Sequence, residues 1–523
     1  MKTFLHPLQN LAEMEAIYTK AKSNRGILEI SGCMESQKAH LIYGLSGLFT
    51  SHLILAEDEK AAKELYEDYR FYDKNVYYYP AKDLLFFQAD IHGNLLIRQR
   101  MRVIKALLEQ KENITVVTSI DGCMDYLQPF DKIEKQLIHF RNDSTLDMDK
   151  LKDALVHMGY ERVGQVEMPG QFSVRGGIVD IYSLTEENPW RIELWGDEID
   201  SIRTFDSQSQ RSLENLDEIM IYPATEQPAE KGGVSFLDYF AEKNSLVFLD
   251  EPNRLEENAR AVEEEFRQSC ENRQQKGEEN ISQNWMCRWE DLNHKLNNRN
   301  CISVSLMEPK RADWKITEQF NLTVKSMSSY QSSFELLVKD LRQYKKQGYQ
   351  IVLLSGSRTR AERLAKDLQD EGLSAFYGQD FDRVLEPGEI MVAYGHARKG
   401  FEYPFIKFAI ITETDIFGKE QKKRKKKKEY NGKRIQDFSE LSIGDFVVHE
   451  KHGLGIYRGI EKVAVDKVAK DYIKIEYDKG GNLYILATQL DMIQKYASAD
   501  AKKPKLNRLG GQEWNKTKSR VRG

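Results

Sequence analysis

ILEISGCMESQKAHLIYGLSGL, residues 27–48, sets the architecture of the chain. Ile27–Ile30 is an apolar run of strand length, a loop opens at Gly32, and apolar residues then recur at helical spacing from about Ser36 to Leu48. The same alternation continues outward. His52–Ala56 reads as the next strand, AEDEKAAKELYEDYR (56–70) as an amphipathic helix, and Ile114–Thr118 as a third buried strand. Strand and helix in turn predict a parallel sheet covered by helices, an α/β fold.

At 523 residues the chain is too long for a single core, and several domains are expected. Hydrophobic residues at 40% and charged residues at 30% fit soluble globular material, while a formal net charge of −5 conceals local asymmetry. Five cysteines stand without any C-x-x-C pair, a pattern of reduced thiols rather than disulfides or a zinc site. MKTFLHPLQN lacks the charged and apolar regions of a signal peptide, and no apolar run reaches membrane-span length. A cytoplasmic protein with no membrane partner is expected.

From about residue 127 the texture changes. Phe172–Tyr182, Arg191–Trp195 and Ile199–Phe205 are β-rich and separated by turn signals, as in a small inserted α+β module. Ser245–Leu249 restores the α/β texture, and the charged stretch 256–300 predicts long exposed helices. Tyr349–Ser355, Arg358–Glu371 and Ala409–Thr412 form a further α/β unit, with Gly372 suited to a helix C-cap. KKRKKKKEYNGKR (422–434) reads as a flexible linker. Beyond it Phe446–His449, Gly455–Val465, Tyr472–Tyr477 and Leu483–Leu486 predict four short strands of a small β-barrel.

A phosphate-binding loop belongs between the first strand and helix, with the pattern G-x-x-x-x-G-K-[ST]. Here Gly32 and Lys38 are in place, but Gln37 stands where the second glycine should be and Ala39 replaces the magnesium-holding hydroxyl. This is a degenerate loop, expected to be non-functional. LVFLDE (246–251) resembles the strand carrying magnesium and base in such ATPases, but without a competent phosphate loop it reads as a strand with acidic caps. His449-x-x-His452 lacks a third ligand nearby, so no metal is assigned. The lysine run could grip nucleic acid through counterion release, yet no aromatic residues interleave it.

Arg175 followed by Gly176-Gly177 is odd inside a β-like run, because glycine weakens a strand. Period-two alternation places Arg191, Glu193 and Trp195 on one face, with Ile192 and Leu194 on the other, core side. If the strands pair, Arg175, Arg191 and Trp195 make one exposed patch of residue types enriched in hot spots. The alternative is that each arginine pairs with a local acid such as Glu193, Asp197 or Glu198.

FSVRGGIVDIYSL (172–184) with PWRIELWGDEIDSIRTFDSQSQRS (189–212) resembles the second domain of the excision-repair protein UvrB, and more closely its counterpart in bacterial transcription-repair-coupling factors, the Mfd family. FSELSIGDFVVHEKHGLGIYRGIEKVAVDKVAKDYIKIEYDKGGNLYILATQLDMIQKY (438–496) resembles that family's RNA-polymerase-interacting domain, related to the CarD regulators and absent from UvrB. The resemblance implies an amino-terminal UvrB-like module that has lost its ATPase. It implies UvrA binding through Arg175, Arg191 and Trp195, the last standing where phenylalanine is common. It also implies strand addition to the RNA polymerase β subunit, centred on Val463 and flanked by Lys462 and Ala464. The alternative there is an ordinary edge guarded by Lys462 and Asp466.

The domains expected on this resemblance are 1–126 and 223–330 (UvrB-like 1a and 1b), 127–222 (UvrA-binding), 331–418 (α/β), 419–437 (linker), 438–500 (polymerase-interacting) and 501–523. The last resembles the lead-in to a translocase, so the chain is expected to be a truncated portion without its motor. It would need no cofactor, ATP and DNA being engaged by the motor. The expected function is a non-catalytic adaptor between stalled RNA polymerase and excision repair. Its rivals are a UvrB-type ATPase or helicase and a general nucleic-acid-binding protein using the basic linker.

Overall fold

Every residue of β1 (Gly26–Ser31) is buried, and so is every residue of β4 (Ile114–Ser119) and β15 (Ser245–Asp250). Strands covered on both faces read as continuous apolar runs, which is why these segments show no alternation. The structure, a computed structural model, describes residues 1–23, 25–82, 94–109, 113–226, 232–275, 286–308, 314–418, 432–434, 441–449, 452–465, 468–478, 481–486, 493–496 and 506. By its contacts the chain divides into two units: 1–81, 109–127 and 233–425 in the first, and 82–108, 128–232 and 426–523 in the second.

The first unit holds a seven-stranded sheet. Besides β1, β4 and β15 it contains β2 (Ser51–Ala56), β3 (Val76–Tyr79), β16 (Asn300–Val304) and β17 (Ile316–Asn321). The order is β17-β1-β16-β15-β2-β4-β3, parallel at every pairing. β1 lies between strands from beyond residue 299, so the two halves of the chain's α/β material interleave in one sheet. A two-stranded ladder, β5 (Tyr126–Leu127) with β14 (Val234–Ser235), closes the gap left by the insertion. Helices Lys2–Leu8 and Met14–Ser23 precede β1, and the helix that follows it is Glu35–Leu45, ending in a 3₁₀ turn at Ser46–Leu48.

A second sheet in this unit runs β18-β22-β23-β19-β21-β20. Its strands are β18 (Lys325–Ser326), β19 (Gln350–Ser355), β20 (Ala375–Tyr377), β21 (Ile390–Tyr394), β22 (Phe401–Tyr403) and β23 (Phe408–Thr412). β18 begins before residue 331, so this sheet extends past the expected start of its domain. One apolar core is continuous across both sheets, joining Leu28, Ile42 and Phe248 to Val352, Tyr403 and Ile410. The stretch 256–300 is not made only of long exposed helices. Pro252–Gln275 is a long charged helix, but Trp289–Asn297 buries Trp289, Leu292 and Leu296. Charge content misled here because three apolar residues at helical spacing are enough to seat a short helix.

In the second unit β6 (Ile138–Arg141) pairs with β13 (Glu218–Ile221), and a six-stranded sheet lies between them in sequence. It contains β7 (Glu161–Arg162), β8 (Gln171–Arg175), β9 (Ile178–Ile181), β10 (Trp190–Trp195), β11 (Glu198–Phe205) and β12 (Ser212–Leu216), in the order β12-β11-β10-β9-β8-β7. The helix Asn94–Leu108, expected within the first domain, belongs to this unit. Lys105 meets Glu186 at 2.6 Å, Arg102 pairs with Glu187, and the fully buried Arg100 meets Glu226 at 2.5 Å. Those three acids arrive from up to 126 residues away, so no local pattern marks the helix as theirs.

The C-terminal sheet has six strands rather than four: β24 (Gly432–Arg434), β25 (Phe446–His449), β26 (Gly453–Val465), β27 (Val468–Glu476), β28 (Asn482–Leu486) and β29 (Ile493–Tyr496). They run β24-β29-β25-β26-β27-β28, with antiparallel pairing throughout. β24 falls inside the expected linker. Backbone pairing to β29 gives a strand to residues with no apolar content of their own. The rest of the linker lies outside the described residues, as does Asp466. Among the described residues no helix is long and apolar enough to cross a membrane.

Candidate functional site

Arg175 and Ile178 face each other across the β8–β9 hairpin, so its turn is only Gly176-Gly177. Gly176 takes φ +60°, the left-handed conformation a two-residue hairpin turn demands. Gly177 serves a different need. β10 passes close by, Leu194 N–H donates to Gly177 O at 2.8 Å, and a Cβ on Gly177 would meet Leu194 O at 3.1 Å.

β9 lies between β8 and β10, so Arg175 and Arg191 are not on neighbouring strands. Asp180 on β9 stands opposite both Ser173 and Arg191. Its side chain is 1% exposed and accepts from Arg191 Nε at 2.7 Å, Arg191 Nη2 at 2.9 Å and Arg175 Nη2 at 2.8 Å. Arg191 also donates to Gln210 Oε1 at 2.9 Å and lies 4.2 Å over the Phe205 ring. The hydrogen bonds to Asp180 hold its pKa above the ordinary arginine value. Arg203 pairs with Glu193 on the same face.

The expected patch of three outward residues is therefore corrected. Trp195 is 84% exposed and the Arg175 side chain 48% exposed, but Arg191 is only 13% exposed. Alternation assigns a side chain to a face, and a long guanidinium can still fold down onto a buried carboxylate there. Both arginines do pair with a local acid, but it is Asp180, and not Glu193, Asp197 or Glu198. The register with β11 shifts between Glu193 and Leu194, where Asp200 of β11 is the extra residue, and Trp195 stands beyond that shift at the turn end of the sheet. Leu194, expected on the core side, is only half-buried.

The loop after β1 is filled by the protein itself. Gly32 N–H donates to Leu306 O at 3.2 Å, Cys33 N–H to Ser305 O at 2.9 Å and Met34 N–H to Gln37 Oε1 at 3.0 Å. The amides of Gly32, Cys33 and Met34 are thus bonded within the fold. A Cβ on Gly32 would meet Leu322 O at 2.0 Å, so the backbone there is pressed against the next segment. Gln37 Nε2 donates to Tyr403 Oη at 2.9 Å, and Ala39 is buried. Lys38 Nζ reaches Asp250 Oδ1 and Glu251 Oε1, each at 2.6 Å. Burial pushes the lysine pKa down, but the two carboxylates outweigh it and leave it above the ordinary value. Glu251 Oε1 also accepts from Leu306 N–H at 2.9 Å.

In the C-terminal sheet β25 pairs with Gly453–Ile456 of β26, while β27 pairs with β26 as far as Val465. Val463 stands opposite Lys470, Lys462 opposite Asp471 and Ala464 opposite Ala469. Among the described residues no strand pairs with the other edge of β26 over Ile460–Val465. The side chains at 462–464 lie outside what the structure describes. His449 and His452 rings are 4.8 Å apart, and burial together with His452 pushes His449 down to about 4. Among the described residues no group of three or more candidate ligands could hold a metal.

The UvrB interaction domain family matches residues 138–226, and the CarD-like/TRCF RID domain family matches residues 441–497. The transcription-repair-coupling factor of Bacillus subtilis (strain 168) is 31% identical over 570 residues, covering 94% of this chain and 48% of its own length. The chain is similar to transcription-repair-coupling factors over nearly its whole length. Those of Staphylococcus haemolyticus (strain JCSC1435) and Staphylococcus aureus (strain MRSA252) are 29% and 28% identical, covering 85% and 86% of the chain and 43% of each relative. The chain spans about half the length of the curated relatives it matches. The first family match encloses β6 to β13, with the Asp180 cluster inside it, and the second encloses β25 to β29.

Proposed function

We propose that the chain is a non-catalytic adaptor that recruits UvrA through the β8–β11 turn end and binds the RNA polymerase β subunit through the open edge of β26. In this reading the seven-stranded sheet is a degenerate nucleotide-binding fold used as a scaffold, and it turns over no ATP and takes no cofactor. The C-terminal sheet is a small CarD-type barrel, the domains keep the order expected from the sequence while helix Asn94–Leu108, β18 and β24 fall across its boundaries, and the work is done in the cytoplasm. DNA is engaged by a motor that the intact protein carries. One observation carries the proposal: two interaction-domain matches lie on one chain whose nucleotide loop is occupied by its own side chains.

Trp195 and the free donors of Arg175 supply an aromatic anchor and a cation at one end of the sheet, the residue types in which interface energy concentrates. The open β26 edge supplies backbone groups for strand addition. The test is size-exclusion chromatography of the chain with purified UvrA and a β-subunit fragment, without nucleotide. Co-elution of all three is expected, and changing Val463→Asp should release the β fragment while UvrA is retained. A chain that binds neither partner, or binds only when ATP is added, overturns the reading.

A further inference from the structure

Asp180 makes no direct approach to a partner, since its carboxylate is buried beneath two guanidiniums. Yet the whole charged face of β8–β10 is organised around it. Arg191 grips it through two nitrogens, the fork geometry that fixes a guanidinium most firmly. Arg175 reaches the same Oδ2 through Nη2 alone. Two cations against one carboxylate leave an excess positive charge, and it sits on Arg175, the more exposed of the two. Arg175 is also the residue next to the Gly176-Gly177 turn, at the end of the sheet where Trp195 stands.

We infer that Asp180 is a positioning residue for the docking face: it holds Arg175 ready at the end of the sheet where Trp195 stands, and Arg191 serves as its scaffold rather than as a contact. The inference rests on the UvrA-docking reading. An arginine side chain is rich in rotamers, and ordering it at an interface weakens binding by the freedom it loses. A guanidinium already tethered to Asp180 has lost much of that freedom before the partner arrives. Releasing the tether should therefore weaken binding without removing any contacting atom.

The experiment is a titration of UvrA against the full chain and its Asp180→Asn, Arg175→Ala, Asp180→Asn/Arg175→Ala and Arg191→Lys variants, each with a thermal unfolding curve. Asp180→Asn is expected to weaken binding about two- to tenfold. In the Arg175→Ala background the same change should leave affinity within about twofold, although it still lowers the melting temperature, because positions that act through one another are not additive. A merely structural role would weaken binding equally in both backgrounds, and that result overturns the inference. Arg191→Lys keeps Asp180 neutralised and guards against a variant that does not fold. Affinity within about twofold of the parent is expected for it, and a tenfold or larger loss would make Arg191 a contact and overturn the scaffold role. If the parent fails to bind UvrA the docking reading itself falls, and this inference with it. If the parent binds and Arg175→Ala binds as well as the parent, only the positioning role falls.

Discussion

Lys38 Nζ and Asp250 Oδ1 stand 2.6 Å apart, which ties the helix Glu35–Leu45 after β1 to the end of β15. Lys38, at the position expected of a phosphate-loop lysine, meets two acidic side chains, Asp250 and Glu251. The pair makes the loop after β1 part of the core, and this contact is a stability element.

Changing Lys38→Ala is expected to destabilise the first unit by about 3–5 kcal/mol, because Asp250 is left buried without a counter-charge. Urea unfolding followed by tryptophan fluorescence measures it. An unchanged midpoint would mean that solvent reaches the site and compensates Asp250.

His40 is buried, with Nε2 2.9 Å from Phe4 O and Nδ1 3.1 Å from Tyr403 Oη. Burial pushes its pKa down from 6.5 to about 4, and His52 is pushed down to about 4 as well. The unfolded chain therefore takes up these protons first as pH falls. Stability is complete above the ordinary value and is lost between it and about 4, by roughly 3 kcal/mol for each histidine. Melting temperature against pH should fall through that window, and His40→Gln should make the fall shallower.

Glu226 shows the opposite balance in the second unit. Burial would push it up, but Arg100 and Lys82 outweigh burial and hold it at about 2, against 4.5 in the unfolded chain. Its contribution is present above pH 4.5 and lost as pH falls through about 2, amounting to roughly 3 kcal/mol. Glu226→Gln should lower stability at neutral pH, where it leaves Arg100 buried beside an uncharged amide. It should also flatten the acid limb of the curve, and an acid limb of unchanged slope would count against this assignment.

Trp195→Ala should leave the melting temperature of the second unit unchanged, since the side chain is 84% exposed. UvrA affinity should fall at least tenfold if the indole is the central anchor. Scanning calorimetry checks the first half of the statement and calorimetric titration the second, with one preparation. A variant that melts normally and binds as the parent does would move the anchor elsewhere on the module.

Apolar runs made β1, β2, β4 and β15 readable, because a strand buried on both faces must be apolar along its length. β17 (ITEQFN) was unreadable for the complementary reason: only alternate positions are even half-buried, and its place is set by pairing with β1. Arg175 and Trp195 were legible as candidates from residue type and turn position. Asp180 was not, because an aspartate inside a β run looks like any polar residue on a solvent face.

Local order thus follows from the order of residues alone: the alternation of strand and helix, the Gly-Gly turn, and the loss of the second loop glycine and of the hydroxyl at Gln37 and Ala39. Those features depend on backbone preference and on side chains within a few positions. Which charges meet was decided only in three dimensions. Lys38 finds Asp250 across 212 residues, and Arg100 finds Glu226 across 126. Burial and ion pairing depend on what lies nearby in space, and sheet order, here interleaving β1 between β16 and β17, is what brings distant segments within reach.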